Sequence, residues 1–168
     1  MKIIGVDSGA KGAICQIDTE NHEVRWCNMP YTEERYVDIK KVMSFDFDFE
    51  FGNVWLEKVN GGSKTKKFDP VSSFVFGQNF GMIFGALMAV SEVNLVPAKT
   101  WQARFYKLDP ERGAKSQSLE LFYRINPTFG KYVKCRHEGL VDAFLVALYG
   151  YHSCAIVKRL PFTFNHLG

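Results

Sequence analysis

Three carboxylates sit in segments that otherwise read as core. Asp7 interrupts the apolar opening MKIIGVDSG, Glu57 interrupts NVWLEKV, and Asp142 lies inside GLVDAFLVALYG. Acidic side chains are almost never fully buried unless paired, because lost hydration must be compensated. Taken singly, Asp7 reads as a turn-capping residue and Glu57 as the surface partner of Lys58. Taken together, three acids in apolar contexts point to a shared cation, since a bound metal offsets the repulsion of clustered carboxylates. Glu138 stands four residues before Asp142 and shares a helical face with it. The candidate set is therefore one acid from each of two strands and two from one helix. Oxygen donors suit a hard ion, and two Mg²⁺ ions, with Mn²⁺ as the alternative, suit hydrolysis of a phosphodiester. Gly9, just after Asp7, removes a side chain where a phosphate backbone would approach.

For these acids to meet, specific elements must carry them. Residues 2–7 read as a strand closing at Asp-Ser-Gly. Gly12–Asp18 and Glu23–Met29 follow as two short strands across a turn-rich link, which predicts an antiparallel meander. Tyr36, Ile39, Val42 and Met43 have the spacing of an amphipathic helix over 32–44. Val54–Val59 is a fourth strand carrying Glu57, and 94–96 a fifth. Between them a long helix is expected from Val71 to about Val90, capped by Ser72 or Ser73. Further helices are expected over 99–106, over 115–125 and from His137 or Glu138 to about Tyr151, with an irregular tail from Lys158. The stretch Phe45–Phe51 has no legible pattern. If the first and fourth strands are parallel neighbours, Asp7 and Glu57 stand one inter-strand spacing apart, roughly 5 Å. The fold class is thus α/β: a five-stranded mixed sheet, three strands in a meander and two parallel, flanked by helices.

Length and charge are compatible with this. The chain has 168 residues, one domain over 1–168 by the usual size of domains. Its net charge of +3 is unevenly spread: −4 over residues 1–56, +2 over 57–100 and +5 over 101–168. Positive charge gathers in the parts that hold Glu57 and Asp142, as a polyanion held near a metal would require. Cys15, Cys27, Cys135 and Cys154 contain no CxxC pair and read as reduced intracellular thiols. Cys135 and His137 lack a zinc spacing. No stretch is read as a membrane span, and Asp7 falls too early for a signal peptide.

The acids in this order resemble the RNase H-like fold, and specifically the RuvC-type Holliday junction resolvases of a phage-style subgroup. The resemblance rests on IGVDSGAKGAI, LEKV and HEGLVDAFLVALYG, with VSSFVFGQNFGMIFGAL and VPAKTWQ between them, and covers nearly the whole chain. It implies a cytoplasmic enzyme of a bacterial or phage-infected cell, cutting branched DNA and four-way junctions as a homodimer. It also implies that Asp7, Glu57 and Asp142 are metal ligands. The family's fourth acid commonly lies three residues before the last, which is Gly139 here. The chain departs at that position and offers Glu138, favoured by its offset from Asp142, or His137. The loop after Glu57 resembles the family's junction-facing loop. Its Lys58, Lys64, Lys66 and Lys67 suit phosphates, and Phe68 suits stacking on an unpaired base. Lys115 resembles a family lysine beside the scissile phosphate. Gly77, Gly81 and Gly85 lie on one face of the long helix, and the resemblance makes that face a dimer interface. The alternative is close packing of the same glycines on the chain's own sheet.

Other readings are a ribonuclease H-like nuclease on RNA–DNA hybrids, with the same fold and metals, and a non-catalytic junction-binding scaffold. Asp7-Ser8-Gly9 also resembles the phosphate loop of actin-like sugar kinases, which need two such domains and more than 168 residues.

Overall fold

The opening segment folds as the meander its turns predict. β1 (Lys2–Asp7) pairs antiparallel with β2 (Ala13–Asp18), and β2 with β3 (Glu23–Asn28). β4 (Asn53–Lys58) lies parallel to β1 on its other side, and β5 (Val93–Pro97) lies parallel to β4. The structure, a computed structural model, describes residues 1–50, 52–59, 69–107, 109, 111–126, 138–154 and 163–166.

The tail departs from expectation. Thr163–His166 forms β6, paired parallel with β3, so the sheet has six strands in the order β5-β4-β1-β2-β3-β6. Four residues suffice because an edge strand needs only backbone hydrogen bonds to its neighbour. That leaves no side-chain periodicity to read, and Asn165 argues locally for a turn.

Both faces of the sheet are covered, which explains why β1 is apolar at nearly every position. On one face Ile3, Cys15, Ile17 and Val24 pack under α5 (Glu138–Cys154). Also on that face are α3 (Ala98–Phe105) and α4 (Ala114–Ile125). α5 is buried on most of its circumference, hence its nearly unbroken apolar sequence. On the other face Ile4, Val6, Val54 and Leu56 meet Val42 of α1 (Ile39–Ser44) and Ile83 and Leu87 of α2 (Pro70–Met88). Phe47 and Phe49, from the stretch without a legible pattern, join this second core edge-to-face with ring centroids 5.6 Å apart.

Three local expectations are corrected. The first helix begins at Ile39 rather than 32, because Tyr31 bridges to Val37 and Arg35 takes a positive φ of 67°. Asp38 then caps the helix by accepting from the Lys41 N–H at 3.0 Å. The long helix is capped by Asp69, not Ser72 or Ser73: its carboxylate accepts from the Ser72 N–H at 3.0 Å, with Pro70 in the first turn. That 19-residue helix carries no charge and is long and apolar enough, by length and composition, to cross a membrane, contrary to the sequence reading. Only Asn79, Ile83 and Leu87 of it are buried.

The open face of α2 bears the three glycines. A Cβ at Gly77, Gly81 or Gly85 would meet nothing within 4 Å, so these glycines do not pack on the chain's own sheet. Val71, Phe74, Met82 and Met88 are exposed on the same helix, Phe74 by 67%.

Candidate active site

The register of β1 and β4 sets Val6 beside Leu56, so the next residues, Asp7 and Glu57, end two adjacent parallel strands together. Side chains alternate across a strand. Ile4, Val6, Val54 and Leu56 point to the α2 face, which turns Gly5, Asp7, Trp55 and Glu57 toward α5. α5 reaches those strands by backbone contact. Gly139 lies against Lys11 and Gly12, and a Cβ on Gly5 would strike the Ala143 carbonyl and the backbone N and Cβ of Ala147. Gly150 likewise leaves room for Trp55, which packs on Tyr149 with centroids 5.4 Å apart. Between the contacts at Gly139 and Ala143 stands Asp142.

These acids lie close enough for their charges to act on one another. Burial raises Asp7 above the usual carboxylate range, and the Gly9 N–H, donated to its Oδ1 at 2.8 Å, and the Lys115 charge act in the opposite sense. Glu57 is pushed up to about 7 by burial and by Asp7, against a hydrogen bond from Trp101. Asp142 is pushed up to about 8 by burial, then by Asp7 and Glu57, with Lys115 pulling it down. Glu57 and Asp142 therefore favour their protonated forms near neutral pH unless positive charge is supplied. Hard oxygen donors under mutual repulsion fit a divalent cation. Among the described residues, no three His, Cys, Asp or Glu side chains close into a preformed metal cage.

The remaining candidates sort clearly by position. Glu138 lies at the rim, ion-paired with Lys115 at 2.6 Å, and that lysine holds its carboxyl below the usual range. Lys115 is thereby stationed beside the acids and acts on both Asp7 and Asp142. Lys58 is exposed at the end of β4. Lys64, Lys66, Lys67, Phe68, Cys135 and His137 lie outside the described residues. Gly139, where the resemblance would put an acid, has no space for a side chain against the Lys11 carbonyl.

Three neighbours of the acids were not singled out from the sequence. Trp101, wholly buried, donates its indole N–H to Glu57 Oε2 at 3.0 Å. Tyr31 donates its hydroxyl to the Gly9 carbonyl at 2.7 Å, steadying the turn whose N–H holds Asp7. Tyr106 is bonded to Ser118 Oγ at 2.8 Å, and burial together with Asp142 and Glu57 raises its phenol. Trp101 belongs to the block VPAKTWQ, the one signal that could have marked it.

Among solved structures, T. thermophilus RuvC in complex with Holliday junction substrate matches 95% of this chain and 100% of its own. The TM-score is 0.52 at 12% identity. The two chains share a fold. The Fowlpox virus resolvase in complex with substrate Holliday junction DNA matches 92% of this chain and 99% of its own, at 18% identity and a TM-score of 0.48. No protein-family model and no curated protein matches the sequence. The likeness covers nearly the whole chain, and with the strand order it shows that the chain adopts the RNase H-like α/β architecture implied by the sequence.

Proposed function

We propose that this protein is a metal-dependent, structure-selective DNA endonuclease that resolves four-way junctions. One observation carries the reading: Asp7, Glu57 and Asp142, from two strands and a helix far apart in sequence, come together at the strand ends, where Asp7 raises the proton affinity of Glu57 and both raise that of Asp142. A half-buried acidic trio stabilises nothing by itself, and its cost is offset when a cation is held. Asp7, Glu57 and Asp142 would hold Mg²⁺, with Glu138 as fourth ligand; Mn²⁺ fits the same donors. The ions would supply Lewis-acid activation of water and neutralisation of charge on the phosphate during in-line displacement.

The chain's own residues do the rest. Gly9 leaves the Asp7 turn open to a phosphate backbone, and its N–H orients the Asp7 carboxylate. Lys115 provides a cation beside the acids for the phosphate that enters there, once Glu138 turns to the metal. Lys58, Lys64, Lys66, Lys67 and Phe68, in the segment that follows Glu57, would contact the DNA. A homodimer through the Gly77–Gly81–Gly85 face of α2 would present two identical sites to a junction of two-fold symmetry. The open apolar face of that helix supports this, and a second copy is the partner proposed for it.

The deciding experiment is a cleavage panel in Mg²⁺: four-way junction, other branched DNA, linear duplex and RNA–DNA hybrid. Preferential cutting of the junction is expected, with Asp7→Asn, Glu57→Gln and Asp142→Asn each removing cleavage while leaving junction binding nearly intact. Preferential cutting of the hybrid would make the protein a ribonuclease H, and junction binding with no cutting by the wild type would make it a scaffold.

A further inference from the structure

We infer that Trp101 is the positioning residue of the metal site: its indole N–H fixes the Glu57 carboxylate so that Oε1 is the oxygen offered to the ion. This rests on the nuclease reading above. The bond runs from Trp101 Nε1 to Glu57 Oε2 at 3.0 Å, and among the described residues Oε1 accepts no hydrogen bond. Trp101 cannot drift, since it is wholly buried in the core beneath α5. β5 sets Val96 beside Glu57 and Pro97 beside Lys58, and α3 starts at the next residue. Trp101 is one turn into that helix, so its ring returns over the carboxylate.

The chemistry of the donor matters. An indole N–H donates only and never accepts, so it secures one carboxylate oxygen without a choice of partner. It is also neutral. A lysine or arginine in its place would neutralise Glu57 and compete with the cation, whereas tryptophan orients the ligand and leaves its charge for the metal. Asp7 is treated alike, with the Gly9 N–H on Oδ1 at 2.8 Å. Each strand carboxylate thus has one oxygen secured by a neutral N–H.

The test is Trp101→Phe in the full chain, which keeps an aromatic ring and deletes the N–H. Mg²⁺ affinity by calorimetry should fall about 10–100-fold, the usual effect of removing a partner that orients a metal ligand. Cleavage at limiting Mg²⁺ should fall in parallel and recover at high Mg²⁺, while four-way junction affinity in EDTA stays unchanged. A merely structural role would not give recovery by metal. An unchanged Mg²⁺ affinity in a folded variant would overturn the inference. Should Trp101→Phe fail to fold, the indole N–H resonances of isotopically labelled wild type decide. One should move both on Mg²⁺ addition and in Glu57→Gln, and the absence of any such shift overturns the inference. A wild-type chain that takes up no divalent cation instead overturns the nuclease reading, and this inference with it.

Discussion

Gly139 rests directly on the Lys11–Gly12 backbone, joined to Gly12 as an isolated parallel bridge, and a Cβ there would collide with the Lys11 carbonyl. The contact lets α5 approach β1 closely enough for the Asp7 charge to act on Asp142. It also closes the position where the resemblance expects a fourth acid. Gly139→Asp should therefore not create a better metal site. Overpacking at this contact should cost about 1–3 kcal/mol or more, seen as a lowered denaturant midpoint, with reduced cleavage. Glu138→Gln should instead leave stability nearly unchanged, as its lysine pair is exposed, and should weaken cleavage. A Gly139→Asp variant as stable and active as wild type would refute the close-contact account.

The trio sets the pH dependence of the metal-free protein. Asp142 at about 8 and Glu57 at about 7 bind protons more tightly in the folded chain than at their ordinary values. Their contribution to stability is therefore most favourable at acid pH and is lost as pH rises through about 4 to 8. In EDTA, Asp142→Asn should remove part of this loss, melting higher than wild type at pH 8 by about 2–4 °C per kcal/mol relieved, and matching it more closely at pH 5. Mg²⁺ should raise the wild-type melting temperature at pH 8 and do less for the variant. Equal melting of the two proteins at pH 8 in EDTA would mean that Asp142 is not under repulsion.

Electrostatic binding is read from salt. Replacing Lys64, Lys66 and Lys67 together with alanine should weaken binding to every DNA and reduce the slope of log K against log salt by about 2–3. Phe68→Ala should lower junction cleavage more than duplex binding. The measurement is a fluorescence-anisotropy titration over a salt series, and an unaltered slope would remove those lysines from the interface.

The open face of α2 makes a prediction about assembly. Because nothing lies within 4 Å of a Cβ at Gly81, Gly81→Leu has room within the chain, and the variant should remain folded. Light scattering should show a dimer for wild type and a monomer for the variant, and the variant should cut junctions singly or not at all. A wild-type monomer that still makes paired incisions would exclude this interface.

What the sequence determined by itself was local. Asp7, Glu57 and Asp142 were legible because a charge inside an apolar run stands out without knowledge of any partner. The meander and the parallel placement of β1, β4 and β5 followed from turn chemistry and from crossover lengths. What only the tertiary structure decided were relations between distant residues. The start of α1 was set by the bridge from Tyr31 to Val37, and by Asn79 of α2, whose side chain accepts from the Val37 N–H at 2.9 Å. β6 exists through backbone pairing with β3, which leaves no mark on side-chain pattern. Trp101 meets Glu57 from 44 residues away, and nothing in the spacing of a lone tryptophan specifies which carboxylate its N–H will find. Gly139 likewise reads as a missing ligand in the sequence and as a required gap in the fold. Periodicity and composition report which face of an element is buried, while hydrogen-bond partners and close backbone approaches depend on how elements from different parts of the chain are laid together.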